Sequence, residues 1–394
     1  MHRGRRNVFE AKRGGFDPMR RVMSAEHEAF RDQVRRFLVE HVVPFHAAWE
    51  RDGRVPLEIW RRAGDRGLLC PMMPEAYGGA GADFGFSAVV VEELARANAS
   101  GLGFSLHSDI VAPYLLAYGT EEQKQRWLPP MARGETIGAI AMSEPGMGSD
   151  LKAVRTSARR DGDQYVLNGQ KTFITNGLNC GLVIVVAKTD PEAAHKGISL
   201  IVVEAGAPGF SKGRKLEKIG LHAQDTAELF FDEVRVPVGN RLGEENRGFG
   251  YLMRELAQER LIIALRAGAS METMLETTIA YTRERKAFGK PIFEFQNTRF
   301  KLAEARAQAE MFRVFVDDCL ELHLQRELSP ERAAMAKLLG TEMQNRLLDD
   351  FLQLHGGYGY MSEYAIGRAW VDARVMRIYG GSSEIMKEII ARTL

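Results

Sequence analysis

Near Glu135 the apolar pattern of this chain changes period, and near Gly248 it changes back. Between those points TIGAIAMS, YVLNG, KTFITNG, LVIVVAKT, GISLIVVE and AELFFDEV are short β-branched runs punctuated by Gly and Asn, the pattern of strands. On the N-terminal side Phe30, Val34, Phe37, Leu38 and Val42 recur at three- and four-residue steps, and Pro44 closes the run, so an amphipathic helix is predicted there. Residues 56 to 68, 83 to 98, 108 to 118 and 121 to 132 follow the same period, separated by turn chemistry such as PEAYGGAGAD. On the C-terminal side helical runs cover 249 to 284, 294 to 327 and 331 to 354, then 362 to 376 and 383 to 393, lengths that fit an antiparallel bundle. The expected fold class is therefore α+β multidomain. A flexible basic N-terminus (1–23) precedes an N-terminal α-helical domain (24–134), a middle β-barrel-like domain (135–240) and a C-terminal antiparallel helical bundle domain (241–394).

Charge and cysteine usage narrow the function. With 53 basic against 52 acidic residues, the net charge of +1 provides no field for gathering nucleic acid or anionic lipid over a whole face. Cys70, Cys180 and Cys319 are odd in number and contain no CxxC pair, which suits a reducing compartment. No apolar run nears the roughly 20 residues of a membrane span, and LVIVVA at 182–187 has a buried strand's length. The opening MHRGRRNVFEAKRGGF lacks the apolar core of a secretory signal. Glu10, Asp17 and the scarcity of serine also argue against a mitochondrial presequence, so a bacterial, cytoplasmic location is expected. The nine histidines form no HExxH or similar ligand set, so no metal is predicted, and His107 and His355 read as hydrogen-bonded core or turn residues.

Three stretches could carry chemistry. AIAMSEPGMGSDL, 139–151, runs a strand into a turn where Pro145, Gly146 and Gly148 let backbone N–H groups converge beside the hydroxyls of Ser143 and Ser149. Such a concavity suits a phosphate or the polar edge of a flavin, although glycine spacing alone favours a plain β-turn. RERKAFGKPIFEFQ, 283–296, sets four basic side chains and an aromatic at the join of two long helices. Arginine's fork there suits a pyrophosphate, and a solvated turn is the alternative. QLHGGYGYMSEY, 353–364, ends a helix in two close glycines, which admits a ligand to the backbone or simply caps the helix. GFSKG at 209–213 matches a nucleophile elbow by letter only, since a basic GRK follows where a helix is required.

Taken in order, AMSEPGMGSD, FITNG, RKAFGKPIFEFQ, QLHGGYGY and IYGGSSEI resemble the acyl-CoA dehydrogenase family from about Ser24 to the C-terminus. AEHEAFRDQVRRFL, KIGLHAQDTAELFFDEVRVP, RELAQERLIIA and YGGSSEIMKEIIAR are similar to the long-chain type. Met147 departs from the pattern, where the family usually has a small residue. The resemblance implies FAD between the β domain and the bundle, and a homotetramer in which a neighbouring subunit completes each site. By position it implies that Met142, Ser143, Gly148, Ser149, Phe173 and Thr175 face the flavin and its ribityl chain. Arg285, Phe288 and Gln296, with Gln353, Gly356 and Gly357, would reach the cofactor of an adjoining subunit, and Ser382 and Glu384 would close over the flavin. Ser149, Arg260 and Gly381 would meet the acyl-CoA substrate. The reaction implied is abstraction of the proton α to a thioester carbonyl, transfer of the β hydrogen as hydride, and passage of electrons to an electron-transferring flavoprotein.

That reaction needs a base, and many members of the family place it immediately after the tail tyrosine, where this chain has Gly380. The long-chain and isovaleryl types carry it instead on a helix, before an arginine. In GYLMRELAQERLIIALRAG the apolar face runs Leu252, Leu256, position 259, Ile263 and Ala267, and position 259 is a glutamate. A carboxylate in an apolar stripe is costly to ionise, so its pKa should rise toward that of a useful base. Glu259 is thus the expected base, and Glu255, on another face, reads as a surface or inter-helix charge. Gly380 is left to offer its backbone N–H to the thioester oxygen. The rivals are an acyl-CoA oxidase, a branched-chain dehydrogenase of the isovaleryl kind, and a catalytically silent flavin-binding or scaffold subunit.

Overall fold

The computed structural model describes residues 20–394, so most of the basic N-terminal segment lies outside the described residues. The first described helix, Ala25–His41, begins where Ser24 accepts from the His27 N–H and His27 answers the Ser24 N–H, a reciprocal cap. Helices Leu57–Asp65, Phe84–Arg96 and Glu121–Ala132 follow where the apolar period put them. Between the last two, His107–Val111 widens into a single π turn, the kind of irregularity often found near functional sites. The C-terminal part packs Gly248–Glu284, Gln296–Leu324 and Pro330–His355, then the shorter Ala365–Ala373 and Ser383–Ala391.

Charge as well as oil joins the N-terminal helices to this bundle. Arg31 Nη1 lies 3.1 Å from both Glu92 and Glu93, and Arg313 Nε lies 2.6 Å from Glu272, with all five side chains buried. Each buried carboxylate here has an arginine fork against it, the condition under which burying such charges is tolerable.

Eight strands make the middle: β1 (Ile137–Ala141), β2 (Ser157–Asp161), β3 (Gln164–Thr175), β4 (Cys180–Lys188), β5 (Ile198–Glu204), β6 (Phe210–Lys215), β7 (Thr226–Pro237) and β8 (Arg241–Leu242). They form one sheet in the order β6-β7-β3-β2-β4-β5-β8, with β1 parallel to β4. The barrel-like closure expected from the sequence is corrected here, because β6 and β8 are edges and do not pair. The physical reason is at those edges. β6 reads FSKGRK, a strand whose lysines and arginine discourage further pairing, and Lys212 Nζ caps the carbonyls of Leu178 and Cys180. β8 is two residues long, and the chain beyond it is tied off by the Gly243 N–H on the Tyr118 carbonyl.

Alternation along the central strands divides the core. Leu182, Ile184 and Val186 of β4 pack with Leu115, Trp127 and Leu128 of the helices, whereas Val183, Val185 and Ala187 pack with Leu167, Leu229 and Val234 within the sheet. YVLNG and KTFITNG, separate runs by sequence, form the single strand β3, bent at Gly169. Its pairing with β7 slips again between Lys171 and Ile174, and this bulge throws Phe173 out of the ladder at φ 60°.

Candidate active site

Glu259 lies in the middle of an interior helix face and is 7% exposed. Its Oε1 accepts from the Tyr114 hydroxyl at 3.3 Å. Burial pushes the carboxyl up to about 7, against the pull of that hydroxyl and of Arg260. Burial also drives the Tyr114 phenol well above its ordinary value, with Glu259 adding to the effect, so Tyr114 stays a donor. Arg260 is buried beside it with no hydrogen-bond partner for Nε among the described residues. Glu255 sits one turn earlier, half-buried, and accepts from the Tyr118 hydroxyl at 2.7 Å, an inter-helix contact.

The tail comes to the same face. Gly380 and Gly381 have φ of 64° and 93°, left-handed values that a side chain would resist. A Cβ on Gly380 would stand 2.4 Å from Ile263 Cδ1, one turn beyond Glu259. Met376 packs with Ile263 and Ala267 in a small cluster of their own. Ser382 caps the last helix by accepting from the Ile385 N–H, and Glu384 stands exposed in its first turn.

The turn after β1 rests on a buried ion pair. Lys171 Nζ, fully buried, donates to the Met142 carbonyl at 3.0 Å and to Glu144 Oε1 at 2.9 Å. Glu144 also accepts from the N–H groups of Arg155 and Thr156 at 2.8 and 2.9 Å. Although burial alone would raise it, Lys171 and these donors hold its carboxyl below the usual value. Gly148 and Ser149 are exposed at the rim, and a Cβ on Gly148 would meet nothing within 4 Å. Met147 points away into the core with Ile140 and Leu182, so its bulk does not fill the concavity. The Thr172 N–H on the Ser143 carbonyl joins this turn to the β3 bulge, where Phe173 is 70% exposed and Thr175 Oγ1 accepts from Gln224.

The remaining predicted residues form a second patch at the far end of the long helix. Arg285 lies over the Tyr358 ring at 5.4 Å, which brings the 283–296 turn to the 353–364 turn. Phe288 is 95% exposed at φ 51°, Gln296 and Gln353 are exposed, and Gly356 and Gly357 have nothing within 4 Å of an added Cβ. From Glu259 to Arg285, which caps the C-terminus of the long helix, is 26 positions, or roughly 39 Å of rise. The two patches therefore belong to different places on one subunit.

The sequence reading missed Tyr114, the pair Glu144–Lys171, and Lys337, whose Nζ donates to the Gly381 carbonyl at 2.6 Å. His107, expected as a core residue, is buried, accepting from the Gly138 N–H and facing the Met131 carbonyl. His355 is buried and stacks on Tyr281 at 4.2 Å. No group of side chains that could hold a metal occurs among the described residues, and no helix there is long and apolar enough to cross a membrane.

A buried glutamate of raised pKa thus stands one turn from Ile263, where the double-glycine tail meets the long helix. The chain belongs to the acyl-CoA dehydrogenase family: the profiles of its N-terminal, middle and C-terminal domains match residues 24–135, 139–234 and 246–394. It is an oxidoreductase of that family. It is 55% identical over 379 residues to the mitochondrial long-chain specific acyl-CoA dehydrogenase of Sus scrofa, covering 95% of this chain and 88% of the relative. The crystal structure of an acyl-CoA dehydrogenase from Geobacillus kaustophilus superimposes with a TM-score of 0.94 at 50% identity, over 95% of this chain and 99% of that one. A glutaryl-CoA dehydrogenase from Mycobacterium smegmatis, solved in complex with FADH2, superimposes with a TM-score of 0.87 at 29% identity, over 95% of each chain. FAD binding is accordingly expected, and the open glycine turn with the strained, exposed Phe173 beside it leaves room for a flavin. The cytoplasmic location expected from the N-terminus is corrected: the Sus scrofa relative is named as mitochondrial, which runs against that expectation.

Proposed function

We propose that this enzyme oxidises straight-chain medium or long fatty acyl-CoA thioesters to trans-2-enoyl-CoA, with Glu259 as the base. The observation that carries the reading is Glu259 itself, buried and raised to about 7, so that near neutral pH a substantial fraction is ionised yet basic enough to take a proton. Tyr114 holds the carboxyl through Oε1, and Ile263 and Met376 keep the surroundings apolar. Gly380, with no side chain in the way, offers its backbone N–H to the thioester oxygen, where negative charge grows as the α-proton leaves. Arg260, whose buried Nε has no partner among the described residues, meets the substrate together with Gly381 and Ser149.

Bound FAD supplies the acceptor for the β hydrogen as hydride. Met142, Ser143, Gly148, Ser149, Phe173 and Thr175 hold the flavin end, and Ser382 and Glu384 close the tail over it. Arg285, Phe288, Gln296, Gln353, Gly356 and Gly357 hold the pyrophosphate and adenine end of a neighbour's cofactor in a homotetramer. An electron-transferring flavoprotein takes up the electrons. The test is anaerobic bleaching of the bound flavin by acyl-CoAs graded in length and branching, followed by turnover with a flavoprotein acceptor. A protein that binds these thioesters without bleaching is the silent subunit instead, and this proposal fails.

A further inference from the structure

The Pro330–His355 helix grips the tail at three points. Glu342 accepts from Arg377 Nε at 2.8 Å before the two glycines and from the Ser383 hydroxyl at 2.6 Å after them. Between these, Lys337 donates to the Gly381 carbonyl at 2.6 Å. Lys337 is fully buried, and this is an unusual use of a lysine. Two consecutive glycines at positive φ have the most conformational freedom to lose, and neither has a side chain by which packing could hold it. An ammonium on the carbonyl between them and the last helix supplies a charge-assisted bond where the backbone is least constrained.

We propose that Lys337 is a positioning residue for dehydrogenation, acting through the Gly381 carbonyl to hold the Gly380–Gly381 backbone against the Glu259 face. This rests on the reading that tail and long helix share one site. The charged groups around the ammonium are Arg260 from the long helix, Glu342 from its own helix and Glu384 from the last helix. Burial, with Arg260 adding to it, brings Lys337 down to about 8, against Glu342 and Glu384. Its ammonium is therefore present below that pH and lost above it. The tail is held by a charged donor in one range and a weaker neutral amine in the other.

The test compares wild type with Lys337→Met, which keeps an unbranched chain and removes the donor. Two readouts are taken on FAD-loaded oligomer: stopped-flow flavin reduction by an acyl-CoA from pH 6 to 9.5, and amide hydrogen exchange of the peptide spanning 378–385. In wild type the reduction rate falls several-fold above about pH 8. In the variant the rate at pH 7.5 drops roughly tenfold or more at near-normal substrate affinity and the fall above pH 8 disappears. Exchange of the tail amides quickens while that of the long helix is unchanged. Wild-type reduction rate and tail exchange in Lys337→Met overturn the proposal. If the variant does not fold, a wild-type rate that stays flat from pH 7.5 to 9.5 overturns it instead. Failure of the underlying reading looks different, because then wild type itself is not bleached by any acyl-CoA.

Discussion

Replacing Glu259 by Gln keeps volume and polarity but removes the proton acceptor, and two quantities should move in opposite directions. The ordinary carboxyl value of 4.5 is raised to about 7, and at 1.36 kcal/mol per unit this corresponds to about 3 kcal/mol of ionisation cost above both values. The folded pKa is the higher one, so the stability this group contributes is complete below 4.5 and is lost as pH rises through 7. Glutamine does not ionise and escapes that loss. The variant should therefore melt higher than wild type at pH 8 and gain little at pH 4.5, less whatever the Tyr114 hydrogen bond loses on meeting an amide. Catalysis goes the other way. Substrate still binds, but anaerobic flavin reduction slows by roughly a hundredfold or more, and the rise in rate with pH through about 7 expected of wild type vanishes. Paired thermal melts across that pH range and stopped-flow reduction measure both. Near-normal reduction would refute the base assignment, and a melting difference independent of pH would refute the raised pKa.

Arg285→Ala should leave the subunits folded, by circular dichroism, while FAD is lost more readily on dilution; retention as tight as wild type removes this turn from the cofactor site. Moving the carboxylate, Glu259→Gly with Gly380→Glu, should recover only part of the lost flavin reduction. A side chain at φ 64° costs roughly 1–2 kcal/mol, and its Cβ meets Ile263 Cδ1. Adding Ile263→Ala should therefore raise the recovery, and no activity in either combination argues that tail and helix do not approach one α-carbon. Straight saturated acyl-CoAs of medium or long chain should show a higher kcat/KM than isovaleryl-CoA, and the opposite order returns the substrate to the branched class.

What the sequence revealed was governed by how local each signal is. The helices were legible because one face of each is apolar over several turns, and Glu259 stood out because it interrupts such a face. β2 reads SARRD and β6 reads FSKGRK, strands so rich in charge that they lack the alternation that betrays a half-buried strand. Closure could not be judged either, since it depends on whether β6 and β8 meet, a question of pairing between distant segments. The partners of the site were hidden for the same reason. Tyr114 and Glu259 are 145 positions apart, and Lys337 and Gly381 are 44 apart, each an ordinary residue in its own stretch. Sequence pattern identifies a misplaced charge, and only the fold says what it faces.

The separation of the two patches along one helix leads to a final prediction. Residues 259 and 285 stand at places too far apart, at roughly 39 Å of helix rise, for one extended dinucleotide at the base of a subunit to be held by that subunit's own Arg285. If Arg285 serves a neighbour, damage to the base and damage to the arginine fall on different sites of the same oligomer. Co-expressed Glu259→Gln and Arg285→Ala subunits, distinguished by tags and purified as hybrids, then contain sites that combine an intact Glu259 from one chain with an intact Arg285 from the other. With random pairing across a two-fold contact roughly a quarter of all sites are intact, and flavin reduction recovers to about that fraction of wild type. If each arginine served its own subunit, every site would lack one group or the other and mixing would restore nothing. Homo-oligomers of each variant, mixed only after purification, supply the baseline above which recovery must rise.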